Sequence, residues 1–123
     1  MPILRRRQGT PIRSTATLPL QMREQLREPD LGAVPLDADG SAWAVATASA
    51  LVVFTGSRRP EIHPWDEVEQ GSWDGQERVF TLRWTQQDRG DLVLKVPAGV
   101  RRGDAYAAAD VAPFAKALRQ RVE

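Results

Sequence analysis

The chain contains no cysteine and only one histidine, His63, among its 123 residues. The absence of cysteine excludes disulfide bonds, thiolate nucleophiles, and zinc or iron–sulfur centres that use cysteine ligands. It is compatible with a reducing compartment, and we expect a cytoplasmic protein. A metal site needs at least three converging ligands, so a single histidine favours neither a metal nor a cofactor.

Long apolar stretches are also missing. The longest one, residues 42–54, is interrupted by Thr47 and Ser49 and is shorter than the roughly 20 residues that a membrane-spanning helix needs. Residues 1–17 are basic but lack the apolar centre of a secretory signal. We therefore expect no transmembrane segment. A chain of this length fits one domain that is large enough for a core of its own.

The charge is small in total but unevenly distributed. The net charge of +1 argues against a strong field for nucleic acid or a membrane. Residues 31–100 hold ten acidic residues against six basic ones, whereas the first 17 residues hold no acid and four arginines: Arg5, Arg6, Arg7 and Arg13. This pattern predicts a basic N-terminal arm, residues 1–16, followed by a single domain, residues 17–123.

Two amphipathic segments predict helices at the two ends of the domain. Residues 17–29 form a short helix in this interpretation, with Thr17 as the cap and Pro29 at the end. Its apolar stripe is narrow and consists of Leu18, Met22 and Leu26. The C-terminal helix has Asp110 as its N-cap and Pro113 in its first turn. Its apolar face follows helical spacing: Val111, Phe114, Ala115, Leu118 and Val122.

Short strand-like segments between the helices, several of them alternating, predict an antiparallel meander of six or seven strands. They are residues 31–36, 43–47, 51–55, the segment from 62, 79–85 and 92–96. Asp39-Gly40 and Asp74-Gly75 mark tight turns. The alternating alanines of residues 44–48 suggest close approach of another element, such as a helix. Residues 103–109 are interpreted as a loop or a helical turn.

The order of these elements resembles the pleckstrin-homology (PH) superfold, and two motifs resemble its bacterial GRAM-like group from high-GC organisms. One is Ala44-Val45-Ala46-Thr47 followed by Leu51-Val52-Val53; the other is Ile62-His63-Pro64-Trp65-Asp66-Glu67-Val68 followed by Trp73-Asp74. The resemblance covers residues 31–122. It implies an α+β, mainly β fold, with a partly open barrel capped by the C-terminal helix. It also implies a binding or scaffold module that acts by protein–protein contact or self-association, and not an enzyme.

The loop between the first two strands argues against one ligand class. PH domains that bind phosphoinositides carry basic residues in this loop. Here it reads Asp37-Ala38-Asp39-Gly40-Ser41 and is acidic. We therefore do not expect inositol lipids to bind there.

Three groups of residues are candidates for an interaction surface. The arginine arm, Arg5, Arg6, Arg7 and Arg13, has the chemistry to contact phosphates of nucleic acid or of an anionic membrane, although such a run is more often a solvated tail. Arg58 and Arg59 form a smaller basic pair in a loop. Trp73 lies beside the Asp74-Gly75 turn, and an exposed aromatic side chain there is a partner-binding candidate.

His63 is the one candidate for catalysis. Asp66 and Glu67 follow it closely, and an imidazole oriented by a carboxylate can act as a general base. No serine or cysteine nucleophile pattern accompanies it, and a histidine at a strand edge is the more ordinary interpretation. A hydrolytic role requires that His63 line a pocket with a second polar group. We expect no catalytic residue.

Overall fold

The computed structural model describes residues 14–56 and 58–122. In chain order, the elements within these residues are β1 Ser14–Thr15, α1 Leu20–Arg23, β2 Gly32–Pro35, β3 Ala42–Ala46, β4 Ala50–Thr55, β5 Glu61–Pro64, a 3₁₀ turn Trp65–Glu67, β6 Val68–Asp74, β7 Val79–Trp84, β8 Leu92–Lys95, β9 Gly99–Arg102, β10 Ala105–Ala108 and α2 Ala112–Arg121. The fold is mainly β with a C-terminal helix, as predicted. Its strands form three sheets that do not close into a barrel.

The central sheet has the order β2-β3-β4-β5 and is antiparallel throughout. The predicted turn at Asp39-Gly40 joins β2 to β3, with Gly40 at a φ of 76°. The Asp37 carboxylate accepts hydrogen bonds from the backbone N–H groups of Ser41 and Ala42. The Ser41 hydroxyl is the largest cause of the lowered pKa of Asp39. The acidic side chains of this loop thus close the turn themselves.

One face of the central sheet packs against α2. Ala44 and Ala46 are fully buried there in a core cluster with Phe114 and Leu118. At Gly32, an added Cβ would lie 2.5 Å from the backbone nitrogen of Phe114, so the helix backbone lies almost directly on β2. The predicted close approach of a helix to the alanine face is therefore confirmed.

The second sheet, β6-β7-β8, contributes Phe80, Leu82 and Trp84 to the same core. The predicted hairpin lies at Asp74-Gly75, but its geometry differs from a two-residue turn. The Asp74 carboxylate accepts hydrogen bonds from the N–H groups of Gln76 and Glu77. Arg78, at the end of the turn, adopts the left-handed backbone conformation with a φ of 55°. Its guanidinium donates to the carbonyls of Val96 and Pro97.

The third sheet was not predicted. Residues 99–108 form the hairpin β9–β10, and β1 pairs with β10 in parallel. The prediction of six or seven strands is therefore wrong, since ten strands occur among residues 14–56 and 58–122. The alanine-rich β10 has little intrinsic strand propensity, and its pairing partners provide the order. Ser14 and Thr15, at the end of the predicted arm, belong to this sheet.

The N-terminal helix is shorter than the predicted residues 17–29. It covers Leu20–Arg23, its N-cap is Pro19, and Thr17 makes no cap. Beyond Glu24 the hydrogen bonds change from i→i−4 to i→i−3, and the helix ends. Glu28 then reaches the turn after β3, where the N–H and hydroxyl of Ser49 donate to its carboxylate. These contacts lower the pKa of Glu28, with the Ser49 side chain as the largest cause.

The N-terminal segment covers the other face of the central sheet. Leu18 is buried there with Trp43, Phe54 and Val100 in a second core cluster. The central sheet is thus enclosed on both faces, by α2 and the second sheet on one side and by residues 16–26 and β9 on the other. Within the described part of the chain, no helix has the length and apolar character needed to cross a membrane.

We predict that Gly32→Ala destabilises the fold by about 1–3 kcal/mol, because the added methyl group meets backbone atoms of α2 that cannot rotate away. Gly90→Ala is the matched control, since nothing lies within 4 Å of the position that its added Cβ would take. Urea unfolding measures both variants. Equal unfolding free energies for the two would contradict the tight contact between β2 and α2.

Candidate functional site

His63 is buried on β5, and both of its ring nitrogens have partners. Nε2 lies 3.3 Å from Glu61 Oε1, and Nδ1 lies 3.2 Å from Nη2 of Arg89. A guanidinium can only donate, so Nδ1 accepts from Arg89 and Nε2–H donates to Glu61. Among the described residues no serine or threonine hydroxyl bonds to this ring. His63 thus has no free nitrogen for the general-base role considered above.

Arg89 connects His63 to the second sheet. Its Nη1 donates to Glu67 Oε1 at 3.3 Å, and its guanidinium carbon lies 3.6 Å from the centroid of the Trp84 ring. The indole N–H of Trp84 donates in turn to the carbonyl of Gly90 at 2.8 Å. The network joins β5 of the central sheet to the loop after β7. Its arrangement is that of a structural link between two sheets.

The predicted basic residues are not brought together with Trp73. Arg58 and Arg59 are exposed in the loop between β4 and β5, and neither forms an ion pair with another described residue. Arg5, Arg6, Arg7 and Arg13 lie outside the described residues. Within residues 14–56 and 58–122, no group of three or more His, Cys, Asp or Glu side chains is placed to hold a metal ion.

Trp73 is half-buried and forms one wall of a groove beside α2. The Trp73 ring centroid lies 4.3 Å from the Phe80 ring centroid and 5.9 Å from the guanidinium carbon of Arg78. The groove, which we call the helix groove, has a volume of about 190 Å³. It is lined by Gly71, Ser72, Trp73 and Phe80 from the sheet and by Ala115, Leu118, Arg119 and Val122 from the helix side.

A larger groove, of about 520 Å³, lies between the N-terminal segment and the β9–β10 hairpin. We call it the tyrosine groove; it is lined by residues 14–20, Arg23, Trp43, Val100, Arg102 and residues 105–107. Leu20 is 67% exposed there, whereas the Tyr106 ring lies on the opposite face of the β9–β10 hairpin, across Gly99. Sequence reasoning missed this groove because it did not predict β9 and β10. The one signal was Tyr106, the only tyrosine, within a run of alanines.

We predict that Arg89→Ala destabilises the fold by about 1–3 kcal/mol, because it leaves Nδ1 of buried His63 without a donor and removes the stack on Trp84. Arg83→Ala is the control, because Arg83 is an exposed arginine of β7 outside this network. Chemical denaturation compares the two. A loss that is no larger for Arg89→Ala than for Arg83→Ala would contradict the structural role of the network.

The helix groove and the tyrosine groove are therefore the candidate binding surfaces of the described chain, while His63 is committed to a link between sheets. The two grooves lie on opposite sides of the central sheet, since one borders α2 and the other borders the N-terminal segment.

Comparisons of this chain with models of known protein families, with curated proteins and with solved structures found no match.

Proposed function

We propose that this chain is a non-enzymatic, PH-like (GRAM-like) binding module that receives an extended protein segment, or a second copy of itself, at the helix groove. The observation that carries the proposal is the edge position of β6 beside α2. β6 is seven residues long, contains no proline, and pairs only with β7 among the described residues. Such an edge offers backbone hydrogen bonds to an incoming strand, and the adjacent groove accepts its side chains.

The other edges of the central and second sheets are less suited to strand addition. β5 is flanked by Pro60 and carries Pro64, which cannot donate to a new ladder. β2 is only four residues long, is largely buried and ends at Pro35, which cannot donate to a new ladder. β8 is only four residues long and ends at the exposed Lys95. Among these edges β6 alone combines length, open pairing positions and an adjacent apolar groove.

The shape of the helix groove depends on Gly71. An added Cβ at this position would lie 3.1 Å from Leu82 Cδ2 and 3.2 Å from Leu118 Cδ2. The glycine therefore lets α2 approach β6 closely, and the remaining space lies between Trp73 and Val122. This space accommodates an apolar side chain, and Arg119 adds a positive charge at its rim. Half-buried tryptophans and arginines are enriched at the centres of protein interfaces.

The PH-like assignment is supported by the order of the elements from β2 to β8 and by the C-terminal helix that packs on the central sheet. The β9–β10 hairpin departs from a simple meander. The acidic loop between β2 and β3 supports the exclusion of inositol lipids, because a phosphate there would meet the carboxylates of Asp37 and Asp39. The absence of cysteine supports a place for the module in the cytoplasm.

We predict that Ser72→Arg weakens self-association or partner binding by roughly tenfold, because Ser72 is exposed on the edge strand β6 and a large charged side chain there disfavours the addition of another strand. Ile62→Arg, on the proline-flanked edge β5, is the matched control. Sedimentation of the full chain over a concentration series measures self-association, and a pull-down measures partner binding. The proposal is contradicted if the chain is a monomer at every concentration and binds no partner in a way that depends on Ser72. It is also contradicted if Ile62→Arg weakens binding as much as Ser72→Arg does.

The alternative function is the binding of an anionic ligand, nucleic acid or a membrane surface, through the arginine arm. The observation that favours it is the segregation of Arg5, Arg6, Arg7 and Arg13 into a segment without acids, while the domain itself is acidic. Binding of this kind releases counterions and falls steeply with salt.

We predict for this alternative that replacing all four arginines by alanine in one variant abolishes salt-sensitive binding to a DNA duplex or to anionic vesicles. Substitution is preferable to deletion of residues 1–16, because Ser14 and Thr15 belong to the third sheet. The control is a variant in which Arg58 and Arg59 are both replaced by glutamate, which reverses their charge. Binding that survives the fourfold replacement would exclude the arm as the contact.

A further inference from the structure

We propose that the contact between His63 and Arg89 is a pH-sensitive link, which opens when the imidazole ring takes up a proton. The inference concerns the joint between β5 and the loop after β7 and does not depend on the function proposed for the helix groove. His63 is the only histidine of the chain. Histidine is the side chain whose charge ordinarily changes between pH 5 and 8, so acidification in this range acts mainly on this one ring.

The partners of the ring decide where a second proton enters. Nδ1 lies 3.2 Å from Nη2 of Arg89, and a guanidinium can donate hydrogen bonds but cannot accept them. Nδ1 therefore holds the lone pair of the neutral ring. The proton of the neutral ring is on Nε2, which lies 3.3 Å from Glu61 Oε1. A second proton can enter only at Nδ1, the nitrogen that faces the guanidinium.

Protonation makes the contact between His63 and Arg89 unfavourable in two ways. The new N–H would face the N–H groups of Arg89, and neither group can accept a hydrogen bond. Two positive charges would also lie about 3 Å apart beside a histidine side chain that is only 11% exposed, where water screens them weakly. Arg89 is free to swing away, because its side chain is 32% exposed and Glu67 remains its partner.

The elements packed around the ring supply no acceptor that replaces the lost contact. Among the described residues, Glu61 on β5 is the one carboxylate paired with the ring, and it lies at Nε2 and not at Nδ1. Glu67 in the 3₁₀ turn reaches Arg89 and not the ring. β4, which pairs with β5, carries no titratable side chain. β7 presents the Trp84 ring, 5.0 Å away, while its Arg83 points to the opposite face.

Arg89 is also the residue that ties the loop between β7 and β8 to the central sheet. Its guanidinium lies 3.6 Å from the centroid of the Trp84 ring, and its backbone N–H donates to the carbonyl of Gln86 at 3.2 Å. The hydrogen bond to Nδ1 is the contact that connects this side chain to β5. Loss of that bond on protonation therefore frees the loop, residues 85–91, from the central sheet, while the strands themselves stay paired.

The test is residue-resolved NMR of the ¹⁵N-labelled full chain between pH 8 and pH 5. The imidazole signals of the lone histidine report its tautomer and its protonation. We expect the Nε2–H tautomer at pH 8. As the ring protonates, the protection factor of the Arg89 amide, corrected for the intrinsic pH dependence of exchange, is expected to fall roughly tenfold. The amides of the β3–β4 pairing are the internal reference and are expected to keep their protection.

Three variants isolate the contact. His63→Gln offers an amide that both accepts and donates but takes up no proton in this range, so its loop protection is expected to be the same at pH 8 and pH 5. This variant also separates the ring from the terminal amino group, which titrates in the same range. Arg89→Ala is expected to abolish the pH response of the loop. Arg83→Ala is the matched control and is expected to retain it, because Arg83 is an exposed arginine outside the network.

Several outcomes on the unaltered chain would overturn the inference, so the test does not depend on the folding of any variant. It is overturned if the neutral ring carries its proton on Nδ1, or if the ring stays neutral down to pH 5. It is also overturned if the ring protonates and the loop keeps its protection, or if the β3–β4 amides lose protection to the same extent. A pH response that persists in His63→Gln would overturn it as well.

Discussion

The position of the C-terminal helix is fixed by its close contact with the central sheet. The backbone of α2 reaches Gly32 because this residue has no side chain, and Ala44 and Ala46 leave room for Phe114 and Leu118. A bulky residue at any of these positions would push the helix away from β2. The helix would then no longer pack on β2 or border the groove beside β6.

The two candidate grooves lie on different sides of the central sheet. On the α2 side, the helix packs on β2 and borders the groove beside β6, which pairs only with β7 among the described residues. On the other side, residues 14–23 lie across Trp43 and Val100, and pairing of β1 with β10 uses backbone groups of β10. We propose the groove beside β6 as the site for a protein strand.

The sequence predicted those strands and helices that are specified by the spacing of their own residues. Alternation identified β3, β7 and β8, β-branched and aromatic residues identified β4, and helical spacing identified α2 with Pro113 in its first turn. The β9–β10 hairpin escaped prediction because the alanine-rich β10 has little strand propensity of its own, and one of its two partners, β1, is distant in sequence. The shortness of α1 follows from contacts such as that of Glu28 with Ser49, 21 residues away. The partners of His63 and both grooves have the same non-local origin, whereas Trp73 was found from its hairpin alone.

Strand addition at β6 can be tested by amide hydrogen exchange, measured at low and high protein concentration or with a captured partner. An open edge implies that the β6 amides not bonded to β7 exchange rapidly in the dilute chain and become protected on association. We predict that this protection appears at β6 and at the facing turns of α2. Protection that appears instead at β5, or association without any change at β6, would mean that β6 is not the binding edge.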